Sequence, residues 1–269
     1  MTVTALPFGA TQVEDPAAAE ALTSLAVELP AAPLRFALRR DEAGLRLDVL
    51  DARGGFLQID FLGGPTGWRG ASRDAPERGY SSRARSERVA RACALSASGA
   101  PTRVVDGTAG LGSDAWVLAC AGAEVVAIER HPILVQLLED ARTRALAVVP
   151  EVARRLSFRC GKLGTFAPEL DADTLYLDPM YAPRRKQALG DGRLRQLAAL
   201  LVADGFLPAQ AGDDRSGLLE VALASPVPRV VLKRPRREAP QEDPPPGHTL
   251  GGRSTCFDVW FRAPSPPRA

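Results

Sequence analysis

Histidine, cysteine and long apolar runs are scarce in this sequence. The 269 residues include two histidines and four cysteines, and the cysteines do not have the spacing of metal ligands. No apolar run approaches the roughly 20 residues that span a bilayer, and the N-terminus lacks a basic segment followed by an apolar one. We therefore expect a cytoplasmic protein with no metal site and no membrane contact.

A strong excess of charge of one sign is also missing. Lys and Arg together number 34, against 32 Asp and Glu, which gives a net charge of +2. This balance does not by itself indicate nucleic-acid binding, so a surface for nucleic acid would have to come from local clusters of basic residues.

The first part of the chain is predicted to form a small antiparallel β unit. Apolar and polar residues alternate over residues 34–39 and 45–50, with a turn at residues 41–44 between them. A third strand is expected at residues 56–61 before a glycine-rich loop. We assign residues 1–82 to this unit and its linker, and residues 83–269 to a second domain.

The second domain has the pattern of an α/β fold. Strands are predicted at residues 103–105, 125–128, 156–159, 174–177 and 256–261, and helices at residues 114–121 and 133–145. Strands that alternate with helices form a mostly parallel sheet with helices on both faces, as in the Rossmann-like fold. Ligands of such sheets bind at the carboxyl ends of the strands.

A glycine-rich turn follows the first strand of this domain. Glycines at Gly107, Gly110 and Gly112 let the main chain approach a nucleotide-like ligand, and Asp106 and Asp114 flank them. The spacing also satisfies a loose dinucleotide fingerprint, so an NAD-dependent oxidoreductase is an alternative. Because the carboxylates would repel a pyrophosphate, we favour S-adenosylmethionine, which carries positive charge and no phosphate.

Acidic residues end three of the predicted strands. Asp106, Glu129 and Asp178 should converge on one crevice, and Glu129 has the spacing of a residue that binds the ribose hydroxyls of an adenosine. Asp178 is followed by Pro179, which has no N–H, so the carboxylate and the carbonyl of Asp178 can both accept hydrogen bonds from an amine. Tyr181 could stack on a base. We predict that Asp178, Pro179 and Tyr181 form the catalytic site.

These motifs resemble those of the class I S-adenosylmethionine-dependent methyltransferases, and in particular the ribosomal RNA small subunit methyltransferase J family. The quoted stretches are Asp106-Gly107-Thr108-Ala109-Gly110-Leu111-Gly112, Ile128-Glu129-Arg130, Leu177-Asp178-Pro179-Met180-Tyr181 and Val231-Leu232-Lys233-Arg234-Pro235. The resemblance implies methylation of the N2 amine of a guanine in 16S rRNA. It also implies cofactor contacts from Ser113, Asp114, Glu129, Arg130, Lys162, Leu163 and Asp178.

The residues themselves add two expectations about the substrate. An ionised Asp178 only accepts hydrogen bonds, which suits the adjacent N1–H and N2–H donors of guanine. Two basic clusters near the crevice predict contacts with the phosphates of 16S rRNA or the small ribosomal subunit. These predicted contacts are Arg184, Arg185, Lys186, Lys233 and Arg234. Another RNA or protein nitrogen as acceptor, and an RNA-binding protein without activity, are further alternatives.

Overall fold

The computed structural model describes residues 4–5, 12–13, 36–49, 55–63, 84–95, 102–179, 211–241 and 243–262. The strands are β1 (Thr4–Ala5), β2 (Gln12–Val13), β3 (Phe36–Asp41), β4 (Gly44–Val49), β5 (Phe56–Leu57), β6 (Arg103–Asp106), β7 (Glu124–Glu129), β8 (Leu156–Cys160), β9 (Thr174–Leu177), β10 (Arg229–Pro235), β11 (His248–Gly251) and β12 (Thr255–Phe261). The α-helices are α1 (Arg88–Ala92), α2 (Ser113–Cys120), α3 (Pro132–Leu146), α4 (Pro150–Ala153), α5 (Leu163–Phe166) and α6 (Ala211–Ala224), and a 3-10 turn spans Ala167–Glu169.

The larger sheet has seven strands in the order β11-β12-β10-β9-β6-β7-β8. Strands β10, β9, β6, β7 and β8 run parallel, and β12 and β11 add antiparallel partners at one side. Every residue of β9 is buried, as expected for a strand inside a sheet that is covered on both faces. The predicted Rossmann-like arrangement is confirmed, and β9, β6 and β7 are adjacent strands within it.

Alternate residues of the central strands enter two different cores. Val104 of β6 packs in the core that contains α2 and α3, whereas the next residue, Val105, packs in the core with α6. Tyr176 and Leu177 of β9 divide in the same way. Because successive side chains of a strand point to opposite faces, the helices cover both faces of the sheet.

The smaller sheet has the order β1-β2-β3-β4-β5. The predicted hairpin of β3 and β4 is present, with Phe36 opposite Val49. Two details differ from the prediction. The third predicted strand is reduced to Phe56–Leu57, and β2 pairs with β3 in parallel, so the sheet is not wholly antiparallel.

Helix α3 joins the smaller sheet to the rest of the structure. The buried Asp140 of α3 accepts hydrogen bonds from the backbone N–H of Leu45 (3.0 Å), from Arg40 (2.5 Å) and from Arg144 (2.9 Å). Arg144 also donates to the carbonyl oxygen of Ile59. Leu45 and other residues of β3 and β4 belong to the same core as α2 and α3. The two sheets therefore share one core, and the division at residues 82 and 83, outside the described ranges, stays a prediction.

No helix within the described ranges is long and apolar enough to cross a membrane.

Candidate active site

The glycine turn connects β6 to α2 at the carboxyl edge of the sheet. Gly110 and Gly112 have φ angles of +53° and +72°, a conformation that favours glycine. A side chain at Gly112 would also collide with Leu138, whose Cδ2 lies 2.6 Å from the ideal Cβ position. At Gly110 the nearest such atom is 3.9 Å away, so the main chain there has open space beside it. A ligand can therefore approach the turn at Gly110.

Glu129 ends β7 directly beside this turn. Its Oε2 accepts a hydrogen bond from the backbone N–H of Gly110, and its Oε1 accepts one from the backbone N–H of His131, both at 2.8 Å. Burial raises the pKa of Glu129, and these hydrogen bonds oppose the rise. Because a carboxylate offers about four acceptor positions, Glu129 can still accept hydrogen bonds from ribose hydroxyls. The arrangement fits an adenosine bound at this edge.

Lys233 of β10 links two carboxylates across the crevice. Its Nζ donates to Asp114 Oδ2 at 2.7 Å and to Asp178 Oδ2 at 2.6 Å. The hydroxyl of Tyr176 donates to the same Asp114 oxygen at 2.6 Å. Burial lowers the pKa of Lys233, but the charges of Asp178 and Asp114 outweigh it, so the pKa is raised and the ammonium stays charged. We call these four residues, Asp114, Tyr176, Asp178 and Lys233, the crevice network.

Asp178 follows β9, and its position is fixed from two sides. Its backbone N–H donates to Thr108 Oγ1 at 2.7 Å, while Lys233 binds its carboxylate. Its side chain is 31 % exposed, whereas Pro179, the next residue, is buried. The carboxylate is therefore held in place at the edge of the open crevice.

Asp106 is buried at the end of β6. The sequence analysis treated it as a charged carboxylate, but its environment in the structure favours the protonated acid. Burial raises its pKa to about 8, and the backbone hydrogen bond from Thr108 and the charge of Lys233 do not compensate. At pH 7 it is therefore mainly a neutral acid, and Lys233 balances part of the charge of Asp114. The repulsion of a pyrophosphate is accordingly weaker than the sequence alone predicts.

The remaining predicted cofactor residues also lie at the carboxyl edge. Ser113 begins α2, Arg130 follows β7, and Lys162 and Leu163 follow β8. The Leu163 side chain is buried and lies against the main chain of Gly107, so only its backbone can face a ligand. Tyr181, Arg184, Arg185 and Lys186 lie outside the described residues.

Two of the predicted RNA contacts, Lys233 and Arg234, form ion pairs within the protein. The Arg234 side chain is 6 % exposed and binds both carboxylate oxygens of Asp258, at 2.5 Å and 3.1 Å, and the carbonyl of Glu238. A guanidinium held in this way inside the protein is not available to a phosphate. Lys233 lies in the crevice network instead of on the outer surface. Lys233 and Arg234 are successive residues of β10, so their side chains point to opposite faces of the sheet. Two adjacent basic residues in a sequence do not show this difference.

The sequence analysis missed three residues that support the site. Thr108 receives the N–H of Asp178, Tyr176 binds Asp114, and His131 is buried beside Glu129. The role of Tyr176 could have been predicted from the sequence, because a tyrosine in an otherwise aliphatic buried strand needs a hydrogen-bond partner for its hydroxyl. Within the described ranges, no group of three or more His, Cys, Asp or Glu side chains could hold a metal ion.

Comparisons with known proteins identify what this chain is similar to. Residues 23–262 match the family described as "Putative SAM-dependent methyltransferase". The chain is 37% identical over 251 residues to the ribosomal RNA small subunit methyltransferase J of Thioalkalivibrio sulfidiphilus, covering 90% of each chain. It is 44% identical over 164 residues to the protein of the same name from Halorhodospira halophila, covering 59% of each chain. Among solved structures, the SAM-dependent methyltransferase NGO1261 from Neisseria gonorrhoeae superposes with a TM-score of 0.61 at 26% identity, covering 95% of this chain and 94% of that one.

Proposed function

Because this chain belongs to the ribosomal RNA small subunit methyltransferase J family, we propose that it methylates small-subunit rRNA, at the N2 amine of a guanine. The observation that carries the choice of an amine is Asp178, a carboxylate held at the edge of the crevice beside the predicted cofactor turn. An rRNA substrate also supports the expectation that the protein acts in the cytoplasm.

S-adenosylmethionine is the methyl donor of this family, and the residues at the carboxyl edge fit it. When bound, it supplies a methyl group on a positively charged sulfur. Glu129 would hold the ribose, the main chain at Gly110 would lie against the ligand, and Ser113 and Arg130 would border the same space. Asp114 and Asp178 make this part of the crevice favourable for a cation. The oxidoreductase alternative fails, because the family is one of methyltransferases.

Asp178 orients the amine of the acceptor base. Its carboxylate and its carbonyl accept hydrogen bonds, and the ring of Pro179 adds no competing donor. Guanine presents two adjacent donors, N1–H and N2–H, to such a pair of acceptors, whereas adenine presents a donor beside an acceptor. Accepting hydrogen bonds from the amine also directs its lone pair toward the methyl donor. Tyr181 is proposed to stack on the base from the opposite side.

The test is methyl transfer to RNA that lacks the modification. Purified protein is incubated with tritiated S-adenosylmethionine and either 16S rRNA or small subunits, and the nucleosides are then separated. We expect label in N2-methylguanosine. Label in another nucleoside or in protein would refute the guanine proposal, and no label in any product would favour the alternative of an RNA-binding protein without activity.

Variants at the two ends of β9 test the role of Asp178. Asp178→Asn keeps the shape of the side chain but offers a mixed donor and acceptor, so we expect kcat to fall by ~100-fold. Asp173→Asn is the matched control, because Asp173 precedes the same strand at the opposite edge of the sheet. Equal activity of the two variants would contradict the role assigned to Asp178.

A further inference from the structure

Four exposed arginines surround one turn of the larger sheet. Arg88 lies on α1, Arg236 and Arg237 follow β10, and Arg253 lies in the turn between β11 and β12. The buried Gly252 contacts Arg88 and Arg236 and directly precedes Arg253. We refer to Arg88, Arg236, Arg237 and Arg253 as the arginine surface.

Gly252 brings the arginines of separate elements together. Arg236 donates from its guanidinium to the carbonyl oxygen of Gly252 at 3.1 Å. The side chain of Arg88 lies 3.3 Å from the place where a Cβ of Gly252 would be, and the carbonyl of Thr255 lies 2.6 Å from it. Any side chain at this position would push the strand or Arg88 away. A glycine is therefore what lets the surface form.

The arginine surface lies on the same edge of the sheet as the crevice. Strand β10 runs toward that edge, Lys233 contacts Asp178 there, and Arg236 comes just after the end of the strand. The backbone N–H of Arg236 donates to the carbonyl of Ser254, which fixes the turn of Arg253 beside it. A substrate that reaches Asp178 therefore lies close to these arginines.

The four arginines are exposed, and their positive charges are not neutralised by carboxylates of the described residues. Among the described residues, no carboxylate forms an ion pair with any of the four, in contrast to Arg234, which binds Asp258. Exposed guanidinium groups of this kind bind phosphate oxygens with paired N–H donors. Several of them near one turn form a local concentration of positive charge, which attracts the phosphates of a nucleic-acid strand.

On this basis we propose that the arginine surface binds the phosphate backbone of the rRNA substrate and positions the strand whose guanine enters the crevice. The proposal rests on the function proposed above, and it replaces Lys233 and Arg234 as the RNA contacts of this part of the chain. Phosphate contacts of this type position the RNA without reading its sequence.

The test compares two pairs of arginines at opposite edges of the same sheet. The double variant Arg236→Gln/Arg253→Gln alters the arginine surface, and Arg154→Gln/Arg155→Gln alters two exposed arginines just before β8, away from the crevice. Binding to a 16S rRNA transcript is measured by fluorescence anisotropy across a series of salt concentrations. A third pair, Arg236→Lys/Arg253→Lys, keeps the charge and controls for damage to the turn.

Counterion release sets the expected size of the effect. With a salt slope of ~0.8 per phosphate, each contact contributes about fivefold at about 0.15 M salt relative to 1 M. The first pair should therefore weaken RNA binding by about 20-fold and lower the salt slope by ~1.5, with kcat and S-adenosylhomocysteine binding unchanged. The lysine pair should recover most of the affinity, and the control pair should match the wild type.

Three results would overturn the proposal. RNA affinity and salt slope of the first pair could equal those of the control pair. The lysine pair could be as weak as the glutamine pair, which would indicate damage to the turn. Binding to whole small subunits could fall while binding to the naked transcript does not, which would indicate a ribosomal protein as the partner. Failure of the proposed function has a different signature, because wild-type protein would then bind the transcript but transfer no methyl group.

Discussion

Replacing Lys233 by methionine removes the charge between Asp114 and Asp178 and keeps a side chain of similar length. In the wild type the ammonium is 2.7 Å from one carboxylate and 2.6 Å from the other, and its side chain is 18 % exposed. At an effective dielectric constant of about 20, one such pair is worth roughly 6 kcal/mol before desolvation is subtracted. Breaking buried pairs costs ~3–5 kcal/mol in practice, and the partial exposure of Asp178 favours the lower end. We expect a loss of ~3 kcal/mol, or about 6 °C in Tm.

The loss should grow with pH. Without the ammonium, the crevice carboxyls bind protons more tightly in the folded state than in the unfolded state. Stability of the variant is then greatest at low pH and declines as the pH rises and these groups ionise. Urea denaturation at pH 5 and pH 8 should therefore show a larger difference between variant and wild type at pH 8.

Kinetics distinguish this role from the phosphate contact predicted by the sequence. If Lys233 orients Asp178, the methionine variant should lose ~100-fold in kcat with little change in KM for rRNA. Lys233→Arg should restore the pH dependence of stability. Arg229→Met, at the opposite end of β10, loses a hydrogen bond to the Ala92 carbonyl and the contact with the Phe261 ring, but it should keep the wild-type kcat and pH dependence. The reasoning is refuted if the variant keeps its kcat and its stability at pH 8 and shows only a higher KM and a smaller salt slope.

Two further changes probe the cofactor side of the crevice. Glu129→Gln should weaken S-adenosylhomocysteine binding by about 10- to 100-fold in calorimetry, because an amide has one oxygen to serve Gly110, His131 and the ribose. Glu124→Gln, at the other end of β7, is its control, and equal affinities would contradict the assignment of Glu129. Asp106 has a folded pKa of about 8 against an ordinary 3.8, so it costs stability increasingly as the pH rises between these values. Asp106→Asn should flatten this decline in urea denaturation, and an unchanged pH profile would show that Asp106 is ionised at lower pH.

The sequence was sufficient for the parts of the fold that depend on local patterns. The strand predicted at residues 174–177 is present with those bounds. The polar residues on either side of this short apolar run mark where the strand begins and ends. Asp106, Glu129 and Asp178 lie at one edge because alternating strands and helices predict a parallel sheet, and the carboxyl ends of parallel strands share one edge.

Long-range pairing could not be predicted in the same way. Lys233 and Asp114 are 119 residues apart, and only the placement of β10 beside β9 brings them together. The sequence therefore grouped Lys233 with Arg234 as basic neighbours, although the two side chains leave the strand on opposite faces. The neutral state of Asp106 was missed for a related reason, because its pKa depends on burial by residues far away in the chain. Strand β11 was missed because it is short and follows a proline-rich stretch.

The hydrogen bond from Gly110 to Glu129 connects two residues 19 positions apart before any ligand arrives. It holds the glycine turn and Glu129 in the arrangement that we expect when a ligand is bound. Little binding free energy is therefore lost in ordering these groups. Affinity differences between the methyl donor and its demethylated product should then appear in their rates of departure, while both arrive at similar rates.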